Sequence, residues 1–299
     1  MGTQGQDTGI VFLSGRRTPF GTFGGTLKDH TATELGAVAS RSALEEAGVD
    51  PAEIGHVVFG NAQQTSADAI YLARHVGLQA GLPEEVPALT INRLCGSGFQ
   101  AIVSAAQEIL LGQAEVCLAG GAESMSQAPH VVRGARWGDL RLGQAGDYFE
   151  DSLWQALTDT QCNLSMAQTA EVLAERYDVD REEADRIAYE SQQRAKRAWD
   201  EGRFDAEVVP MTIETRKGER ELREDEHMRP DTTLEKLSQL RPYFKKDGLV
   251  TAGNASGIGD GAAAVVIAGA DWAERKGLKP LARLVAWGVA GVDPEIMGI

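Results

Sequence analysis

Four apolar, strand-like runs alternate with three segments of helical periodicity in the first 123 residues of the chain. The strand-like runs are residues 10–14, 56–59, 88–94 and 116–119, and the helical segments are residues 33–47, 67–76 and 98–111. Strands that alternate with helices predict βαβ units and a mostly parallel sheet. Thr31 or Thr33 is the expected cap of the first helix, and Gly48 is its expected end.

The pattern changes in the middle of the chain. Residues 124–249 are more polar, more highly charged and poor in strand-like runs. Helices are predicted at 166–177 and 181–201, with Asp180 as the cap of the second. The strongly charged run 216–231 is interpreted as a solvated excursion.

Apolar strand-like runs return at residues 261–268 and 281–289. We therefore predict an α/β fold with a mixed, mostly parallel sheet and helices on both faces. The predicted sections are the first part of an α/β domain at 1–123, an inserted loop subdomain at 124–249, the completing strands and helix at 250–277, and the start of a second domain at 278–299.

Composition and charge narrow the classes of partner. The 299 residues are 42% apolar, which suffices for a sizeable core, and the formal net charge is −15. That charge argues against nucleic acid as the main partner. No apolar run approaches membrane-spanning length, so no membrane partner is expected.

Cysteine usage and the N-terminus bear on metal binding and on location. Cys95, Cys117 and Cys162 form no CxxC or zinc spacing, and no His-x-x-x-His pair occurs, so no metal site is predicted. The first seven residues have neither a basic region nor an apolar core, so they are not expected to be a signal peptide. The expected location is the cytoplasm, where thiols stay reduced.

Cys95 is the strongest candidate for chemistry. It follows the strand-like run 88–94, and glycines at 96 and 98 precede a helix. A thiol at a strand-to-helix turn is exposed near the positive end of the helix, which favours the nucleophilic thiolate and suits acyl transfer. The alternative is an inert, buried cysteine. Ser97 competes as a nucleophile, but its flanking glycines lack the G-x-S-x-G spacing of a hydrolase elbow.

Three glycine-rich stretches fall where strands are expected to end. They cover residues 94–98, 119–126 and 251–257. Ligands of open parallel sheets bind beyond the carboxyl ends of strands, and glycines there let the backbone approach a ligand. Glycine-rich turns also have purely structural roles, so each stretch alone is weak evidence for a site.

Taken together, these segments resemble the thiolase family. The family's acyl-accepting cysteine motif is similar to Asn92-Arg93-Leu94-Cys95-Gly96-Ser97-Gly98, and its second glycine loop is similar to residues 120–126. Its CoA-facing loop resembles residues 251–257 with 260–263. The runs 16–21 and 297–299 also fit, and residues 225–230 with 244–248 most resemble the 3-oxoacyl-CoA thiolase branch. The resemblance implies a layered fold in which two sheets share a layer of helices.

The resemblance implies a mechanism for Cys95. Its sulfur would attack the keto carbonyl of a 3-oxoacyl-CoA, acetyl-CoA would leave, and coenzyme A would then take the acyl group from the thioester. In reverse, two acetyl-CoA would give acetoacetyl-CoA by Claisen condensation. The backbone N–H of Cys95 would help to hold an oxyanion. Coenzyme A and acyl-CoA are thus the expected substrates, with no tightly bound cofactor.

The resemblance also implies a CoA channel and an oligomer. The residues implied to line the channel are Leu157, Met166, Arg229, Phe244, Ala252 and Ser256, and Met297 would line the acyl pocket. Arg229 would lie near the adenine and phosphate end, although the sequence alone favours a solvated arginine. Ser256 would bond the pantetheine arm. A homodimer or tetramer is implied, with the edge strand before Cys95 pairing across a two-fold axis.

The resemblance covers essentially the whole chain, but the family pattern continues past the Met-Gly-Ile phrase at 297–299 through a second, duplicated half. The second half carries an Asn-Glu-Ala-Phe loop, a Gly-His-Pro motif and a Cys-x-Gly motif, and none of these occurs in the 299 residues. In the family the histidine and the second cysteine move protons, work that contributes roughly 10²–10⁴-fold per group. We therefore expect a chain whose second half is truncated, complemented by that missing half and inactive without it.

Two other functions stay open from the sequence. A condensing enzyme of the ketoacyl-synthase type shares a cysteine at a sheet end, but it uses acyl-carrier-protein substrates and decarboxylation. The Asn-Arg-Leu-Cys-Gly-Ser-Gly phrase argues against it. A non-catalytic acyl-CoA-binding protein would keep the thiolase fold without the proton-transferring groups.

Overall fold

The computed structural model describes residues 8–138, 149–216 and 218–299. Residues 1–7, which are not expected to be a signal peptide, lie outside these ranges. The described residues of Met1–Gln127, Phe204–His227 and Ile258–Val289 form one compact unit, and those of Ala128–Arg203, Met228–Gly257 and Ala290–Ile299 form a second. The four sections expected from the sequence stay a prediction.

The described residues form strands and helices, numbered in chain order. The strands are β1 (Ile10–Arg17), β2 (Gly21–Thr22), β3 (His56–Gly60), β4 (Ala88–Ile91), β5 (Val116–Ser124), β6 (His130–Val132), β7 (Phe149–Asp151), β8 (Thr158–Asp159), β9 (Leu164–Ser165), β10 (Met211–Thr215), β11 (Gly218–Leu222), β12 (Gly259–Gly269) and β13 (Ala282–Arg283). The helices are α1 (Ala32–Ala47), α2 (Leu72–Gln79), α3 (Ser97–Leu110), α4 (Ser152–Ala156), α5 (Met166–Arg176), α6 (Arg181–Asp200), α7 (Leu234–Ser238) and α8 (Ala270–Arg275).

A mixed sheet forms the centre of the first unit. Its strand order is β13-β1-β12-β5-β3-β4, and β2 also pairs with β12. β3 runs parallel to β4 and β5, whereas β1 runs antiparallel to β12 and β13, and β12 runs antiparallel to β2 and β5. The predicted α/β class and mixed sheet are confirmed, but the expectation of mostly parallel pairing is wrong. Parallel pairing is confined to the three strands that α2 and α3 connect, because a parallel pair needs a crossover.

Helices cover both faces of this sheet, as predicted. Neighbouring residues of a strand point to opposite faces. Val57 and Phe59 accordingly pack in one apolar cluster with α1, α2 and α8, and Val58 packs with α3 in another. Cys117 belongs to the α3 cluster and is fully buried. Burial raises the pKa of the Cys117 thiol to about 12, with a smaller contribution from the charge of Glu108.

Local caps fix the ends of the predicted helices. The Thr31 hydroxyl accepts the Glu34 N–H and the Glu34 carboxylate accepts the Thr31 N–H, which is a capping box at the start of α1. Gly48 ends α1 with a φ of +63°, a conformation that favours glycine. Asp180 caps α6 through the Glu183 N–H. These caps are confirmed where the sequence predicted them.

Three strand ends differ from the prediction. β4 ends at Ile91, so Cys95 lies in a turn and not directly at the strand end. β5 does not stop at Gly120 but continues to Ser124, because β12 pairs with it along its whole length. The expected strand 281–289 is reduced to β13, where two residues pair with β1.

The charged run 216–231 is exposed over most of its described residues, as predicted, but part of it is also bound to the start of the chain. β11 in this run pairs with β10, and Asp225 and Glu226 form hydrogen bonds with residues 17–26 of the same unit. Asp225 accepts both terminal nitrogens of Arg17 at 2.8 and 3.1 Å. Glu226 accepts the N–H groups of Thr22 and Thr26 at 3.0 and 3.1 Å. Periodicity could not show this, because the partners lie about 200 residues earlier in the chain.

Candidate active site

Cys95 lies in a tight turn between β4 and α3 and is exposed. Leu94, directly before it, has a φ of +47°. Residues other than glycine seldom adopt this left-handed conformation, and they keep it only where the surroundings enforce it. The backbone at the candidate nucleophile is therefore strained, and its neighbours must hold it in place.

Three side-chain hydrogen bonds hold this turn. The Leu94 N–H donates to Asn92 Oδ1 at 2.8 Å, and Ser97 Oγ donates to the Leu94 carbonyl at 2.6 Å. Ser97 Oγ also accepts the Arg93 N–H at 2.8 Å. Ser97 is 5% exposed, and its hydroxyl both donates and accepts within the turn. Its geometry thus supports a structural role and not that of a competing nucleophile.

Glycine lets the start of α3 approach the sheet closely. A Cβ atom on Gly60, at the end of β3, would lie 2.5 Å from the Ser97 carbonyl carbon and 2.6 Å from its Cβ. A Cβ on Gly121 would lie 3.5 Å from the Cα of Gly98. Backbone therefore packs directly on backbone beneath the turn, which fixes where Cys95 stands relative to β3 and β5.

An apolar pocket of about 220 Å³ opens beside Cys95. Its other described lining residues come from α3, β5 and β12: Gly98, Phe99, Ile102, Gly120, Gly121, Ala263, Ala264 and Val265. Cys95 is the one titratable residue in this lining as described. The pocket offers a thiol and an apolar wall, and none of these other lining side chains can accept a proton.

Glu123 is a residue of this region whose role the sequence did not predict. Its carboxylate accepts the N–H groups of Ala62 and Gln63 at 2.8 and 3.0 Å and the Asn61 side-chain amide at 3.0 Å. Burial raises the pKa of Glu123, and these three hydrogen bonds oppose the rise. The only sequence signal was an acidic residue in a strand otherwise made of small and apolar residues, Val116–Ser124.

The residues expected to line a CoA channel all fall in the second unit. The structure brings Leu157 and Met166 together, because the Met166 N–H donates to the Leu157 carbonyl at 2.9 Å. Arg229 is exposed, and its N–H donates to Gln192 at 2.7 Å. Ala252, Ser256 and Met297 are exposed, and Phe244 is half-buried beside Tyr243, with ring centroids 5.1 Å apart.

The loop 251–257 is held by a network around Asn254. The Thr251 N–H donates to Asn254 Oδ1 at 2.7 Å, and Asn254 Nδ2 donates to the Leu249 carbonyl at 2.8 Å and to Asp185 at 2.9 Å. Asp185 is buried in α6 and forms an ion pair with Arg181 at 2.8 Å. Each polar atom of the Asn254 side chain thus has a partner that fixes the start of the loop.

A second carboxylate fixes the chain just before this loop. Glu171 is 4% exposed in α5 and accepts the N–H groups of Leu249 and Val250 at 2.9 and 2.8 Å. A buried carboxylate needs such donors, since an unpaired charge in the interior is very costly. α5 and α6 therefore each contribute one buried acid that orders the segment carrying Ala252 and Ser256.

Metal-binding clusters and membrane-spanning helices are both absent from the described residues. They contain no group of three or more His, Cys, Asp and Glu side chains arranged to hold a metal ion. Within the same ranges, no helix is both long enough and apolar enough to cross a bilayer.

Comparison with known proteins relates the chain to one family. Residues 10–271 match the family model described as "Thiolase, N-terminal domain". The mitochondrial 3-ketoacyl-CoA thiolase of Homo sapiens is 54% identical over 291 residues, which are 97% of this chain and 73% of that protein. The beta-ketothiolase of Cupriavidus necator is 51% identical over 291 residues, with the same shares covered.

Solved structures agree with the sequence matches. The crystal structure of human mitochondrial 3-ketoacyl-CoA thiolase superimposes with a TM-score of 0.93 at 53% identity, covering 97% of this chain and 73% of that one. The crystal structure of that enzyme in complex with CoA gives a TM-score of 0.91 at 52% identity, covering 97% and 72%.

Proposed function

The chain belongs to the thiolase family, and from this premise we propose that it transfers acyl groups between coenzyme A and Cys95. The reaction is cleavage of a 3-oxoacyl-CoA by CoA into acetyl-CoA and a shortened acyl-CoA, or the reverse condensation of two acetyl-CoA. The names of the relatives, which include 3-ketoacyl-CoA thiolases and a probable acetyl-CoA acyltransferase, support this choice.

One observation carries the proposal. Cys95 is exposed at a strained turn, which is fixed by Asn92 and Ser97 and opens onto an apolar pocket. A covalent catalyst needs an accessible nucleophile held in one geometry, because misplacement of the reacting atom is costly. The apolar wall also suits a thioester, since exclusion of water suppresses hydrolysis.

The steps follow from the thiol. Cys95 Sγ attacks the C3 carbonyl carbon, the C2–C3 bond breaks, and its electron pair leaves on acetyl-CoA as an enolate that takes up a proton. The acyl group stays on Sγ as a thioester. The thiolate of CoA then attacks that thioester and Cys95 leaves as a thiolate. The backbone N–H of Cys95 is proposed as one donor to the oxyanion.

The lack of proton-transferring groups in the described pocket lining limits the rate of the complete reaction. Cleavage needs a group that takes the thiol proton and another that protonates the enolate. No described lining residue other than Cys95 titrates. We therefore propose that the described lining residues suffice to form acyl-Cys95. Rapid turnover is proposed to depend on proton-transferring groups outside that lining.

CoA is proposed to bind as a substrate at the second unit. The exposed loop residues Ala252 and Ser256 would face the pantetheine arm, and the exposed charge of Arg229 suits a phosphate. Leu157, Met166 and Phe244 would supply apolar contacts along the arm, and Met297 would contact the acyl group. A relative with the same fold has been solved with CoA, which supports this ligand.

Assembly and location are further parts of the proposal. β4 lies at one end of the described sheet and exposes Leu89, which supports pairing of this edge in a homodimer or tetramer. The cytoplasmic location expected from the sequence stays a prediction, and the mammalian relatives are named as mitochondrial. Light scattering of the purified protein tests the oligomer, and cell fractionation tests the location.

The proposal is tested by release of coenzyme A. The protein is mixed with a small excess of acetyl-CoA, and free CoA is quantified by chromatography over time. We expect about one equivalent of CoA per chain, none from Cys95→Ser, and an unchanged yield from Cys162→Ser. Binding of acetyl-CoA without release of CoA would instead indicate an acyl-CoA-binding protein and would overturn the proposal.

A further inference from the structure

We infer that Glu123 is a positioning residue that sets the geometry of Cys95 through the loop 61–63 and the side chain of Asn92. The inference concerns a residue to which neither the cysteine motif nor the apolar pocket assigns a role. Its meaning for acyl transfer rests on the proposed function, whereas the geometric coupling itself can be measured without any acyl substrate.

The first link runs from β5 to the loop after β3. β3 pairs with β5 as far as Gly60, opposite Gly121, and the chain then crosses over Glu123. Glu123 Oε2 accepts the Ala62 N–H, while Oε1 accepts the Gln63 N–H and the Asn61 amide. Asn61 Nδ2 also donates to the Ala122 carbonyl at 2.9 Å. Three consecutive residues are thus fastened to one carboxylate and its strand.

The second link runs from that loop to the end of β4. The Asn61 N–H donates to the Ile91 carbonyl at 3.1 Å, which extends the β3–β4 pairing by one residue. Asn92 Nδ2 then donates to the Ala62 carbonyl at 3.0 Å. The Ala62 peptide therefore stands between two partners: its N–H faces Glu123 and its carbonyl faces Asn92.

The third link reaches the nucleophile. Asn92 Oδ1 accepts the N–H of Leu94, the residue with a φ of +47° next to Cys95. A chain of hydrogen bonds through Ala62 and the side chain of Asn92 therefore connects Glu123 to the strained turn. Hydrogen bonds in such a chain polarise one another, so a change at the carboxylate weakens the bonds that follow it.

A carboxylate is required at this position by the donors that face it. Separate oxygens serve Ala62 and the pair formed by Asn61 and Gln63. An amide side chain has one oxygen, so Glu123→Gln must turn its NH₂ group toward at least one N–H donor. Such an unsatisfied donor destabilises the folded state. The loss falls on the loop that supports Asn92, although the volume of the side chain is unchanged.

The coupling is measured by alkylation of Cys95 with iodoacetamide in the native protein. Peptide mass spectrometry follows Cys95 and uses Cys162, which lies in the other unit, as the internal reference. In Glu123→Gln we expect the alkylation rate of Cys95 to fall about two- to fivefold, the effect of losing a fixed position at a helix start. Asn92→Ala should slow it similarly, and the double variant should be no slower than Asn92→Ala alone.

The matched control is Glu226→Gln. Glu226 is another carboxylate of the first unit that accepts two backbone N–H groups, from Thr22 and Thr26, away from the Cys95 turn. We expect Glu226→Gln to lower the melting temperature and to leave the alkylation rate of Cys95 equal to that of the wild type within error. If Glu123→Gln leaves alkylation unchanged, or if its effect adds fully to that of Asn92→Ala, Glu123 does not act through Asn92 and the inference is wrong.

Acylation by acetyl-CoA gives a second readout. In Glu123→Gln the maximal rate of acyl-Cys95 formation should fall, while the half-saturating acetyl-CoA concentration stays the same, because CoA is proposed to bind at the second unit. A general loosening of the fold would raise both that concentration and the alkylation of Cys162, and would contradict the inference. If the wild type forms no acyl-Cys95, the proposed function has failed, and alkylation still decides the coupling.

Discussion

The turn at Cys95 and the loop 251–257 are both irregular backbone, and carboxylates that accept backbone N–H groups support both of them. In the first unit Glu123 accepts the N–H groups of Ala62 and Gln63 in the loop that follows β3. In the second unit Glu171 accepts the N–H groups of Leu249 and Val250. The two regions differ in what surrounds the carboxylate: strands of a sheet in the first, helices α5 and α6 in the second.

This difference decides how much room each region has. Beneath the Cys95 turn, backbone packs on backbone, since Gly60 faces main-chain and Cβ atoms of Ser97. Beneath the loop 251–257, Gly253 faces the side-chain ends of Leu237 and Leu240. Backbone cannot move aside without disturbing hydrogen bonds, whereas side-chain ends can change rotamer. We expect a rigid site for the reacting sulfur and a more adaptable loop for the ligand.

The largest expected effect is on the rate of acylation, and it compares Cys95 in the first unit with Cys162 in the second. Cys95→Ser should lower the rate of acylation by acetyl-CoA about a thousandfold or more, because hydroxyl is a far weaker nucleophile than thiolate. Cys162→Ser in the second unit should leave that rate unchanged. Stopped-flow mixing followed by mass analysis gives both rates. Equal acylation of the Cys95→Ser protein would remove the chemical distinction between the units.

The next effect compares two glycines. Gly60→Ala should lower the free energy of unfolding by about 2–3 kcal/mol, since its Cβ would overlap Ser97. Gly253→Ala should cost less than about 1 kcal/mol, because leucine side-chain ends can move. Urea unfolding of both proteins measures this, with Gly288→Ala as the control, since nothing lies within 4 Å of its added Cβ. Equal losses at the two glycines would contradict the contrast in rigidity.

The third effect concerns ligand binding at the second unit. Asn254→Ala removes the bonds to Thr251, Leu249 and Asp185. We expect the dissociation constant for CoA to rise about tenfold, the equivalent of one or two lost hydrogen bonds. Calorimetric titration measures it, and Ser238→Ala, which removes an exposed hydrogen bond to Glu235, is the control. An unchanged dissociation constant would separate the loop from CoA binding.

The smallest effect tests charge and pH in the first unit. Burial acts to raise the pKa of Glu226, but hydrogen bonds from Thr26 and Thr22 outweigh it and the pKa is lowered. A lowered folded-state value means that the charged form stabilises the fold above the unfolded pKa, and that this gain is lost as pH falls through the folded pKa. Glu226→Gln should therefore cost about 1 kcal/mol near neutral pH. The difference should vanish in acid, and thermal melts across pH 3–7 measure it. A difference that stays constant across that range would contradict the assignment.

The same contrast explains what the sequence could predict. Helix α1 was predicted because Thr31, Glu34 and Gly48 act within a few residues of the helix ends. Cys95 was a candidate because its glycines and its strand-to-helix setting are also local. The family resemblance then supplied the reaction and the CoA-facing loop, and the comparisons confirm the family.

What the sequence could not predict depends on distant contacts. β12 is antiparallel because it pairs with β1 and β5. The sequence of β12 itself does not show in which direction it runs relative to those strands. Glu123 serves donors that lie about sixty residues earlier in the chain. Asp225 reaches back about two hundred residues to Arg17. A charged residue in sequence looks solvated until its partners are known.

Mapping of the acyl group tests the central claim most directly. The protein is incubated with acetyl-CoA or a 3-oxoacyl-CoA, quenched in acid and digested, and the peptides that carry Cys95, Cys117 and Cys162 are analysed by mass spectrometry. We predict an acyl thioester on the Cys95 peptide. Cys117, which is buried, and Cys162, which is half-buried, should be unmodified. CoA binding without acylation of Cys95, or acylation at Cys162 instead, would contradict the account.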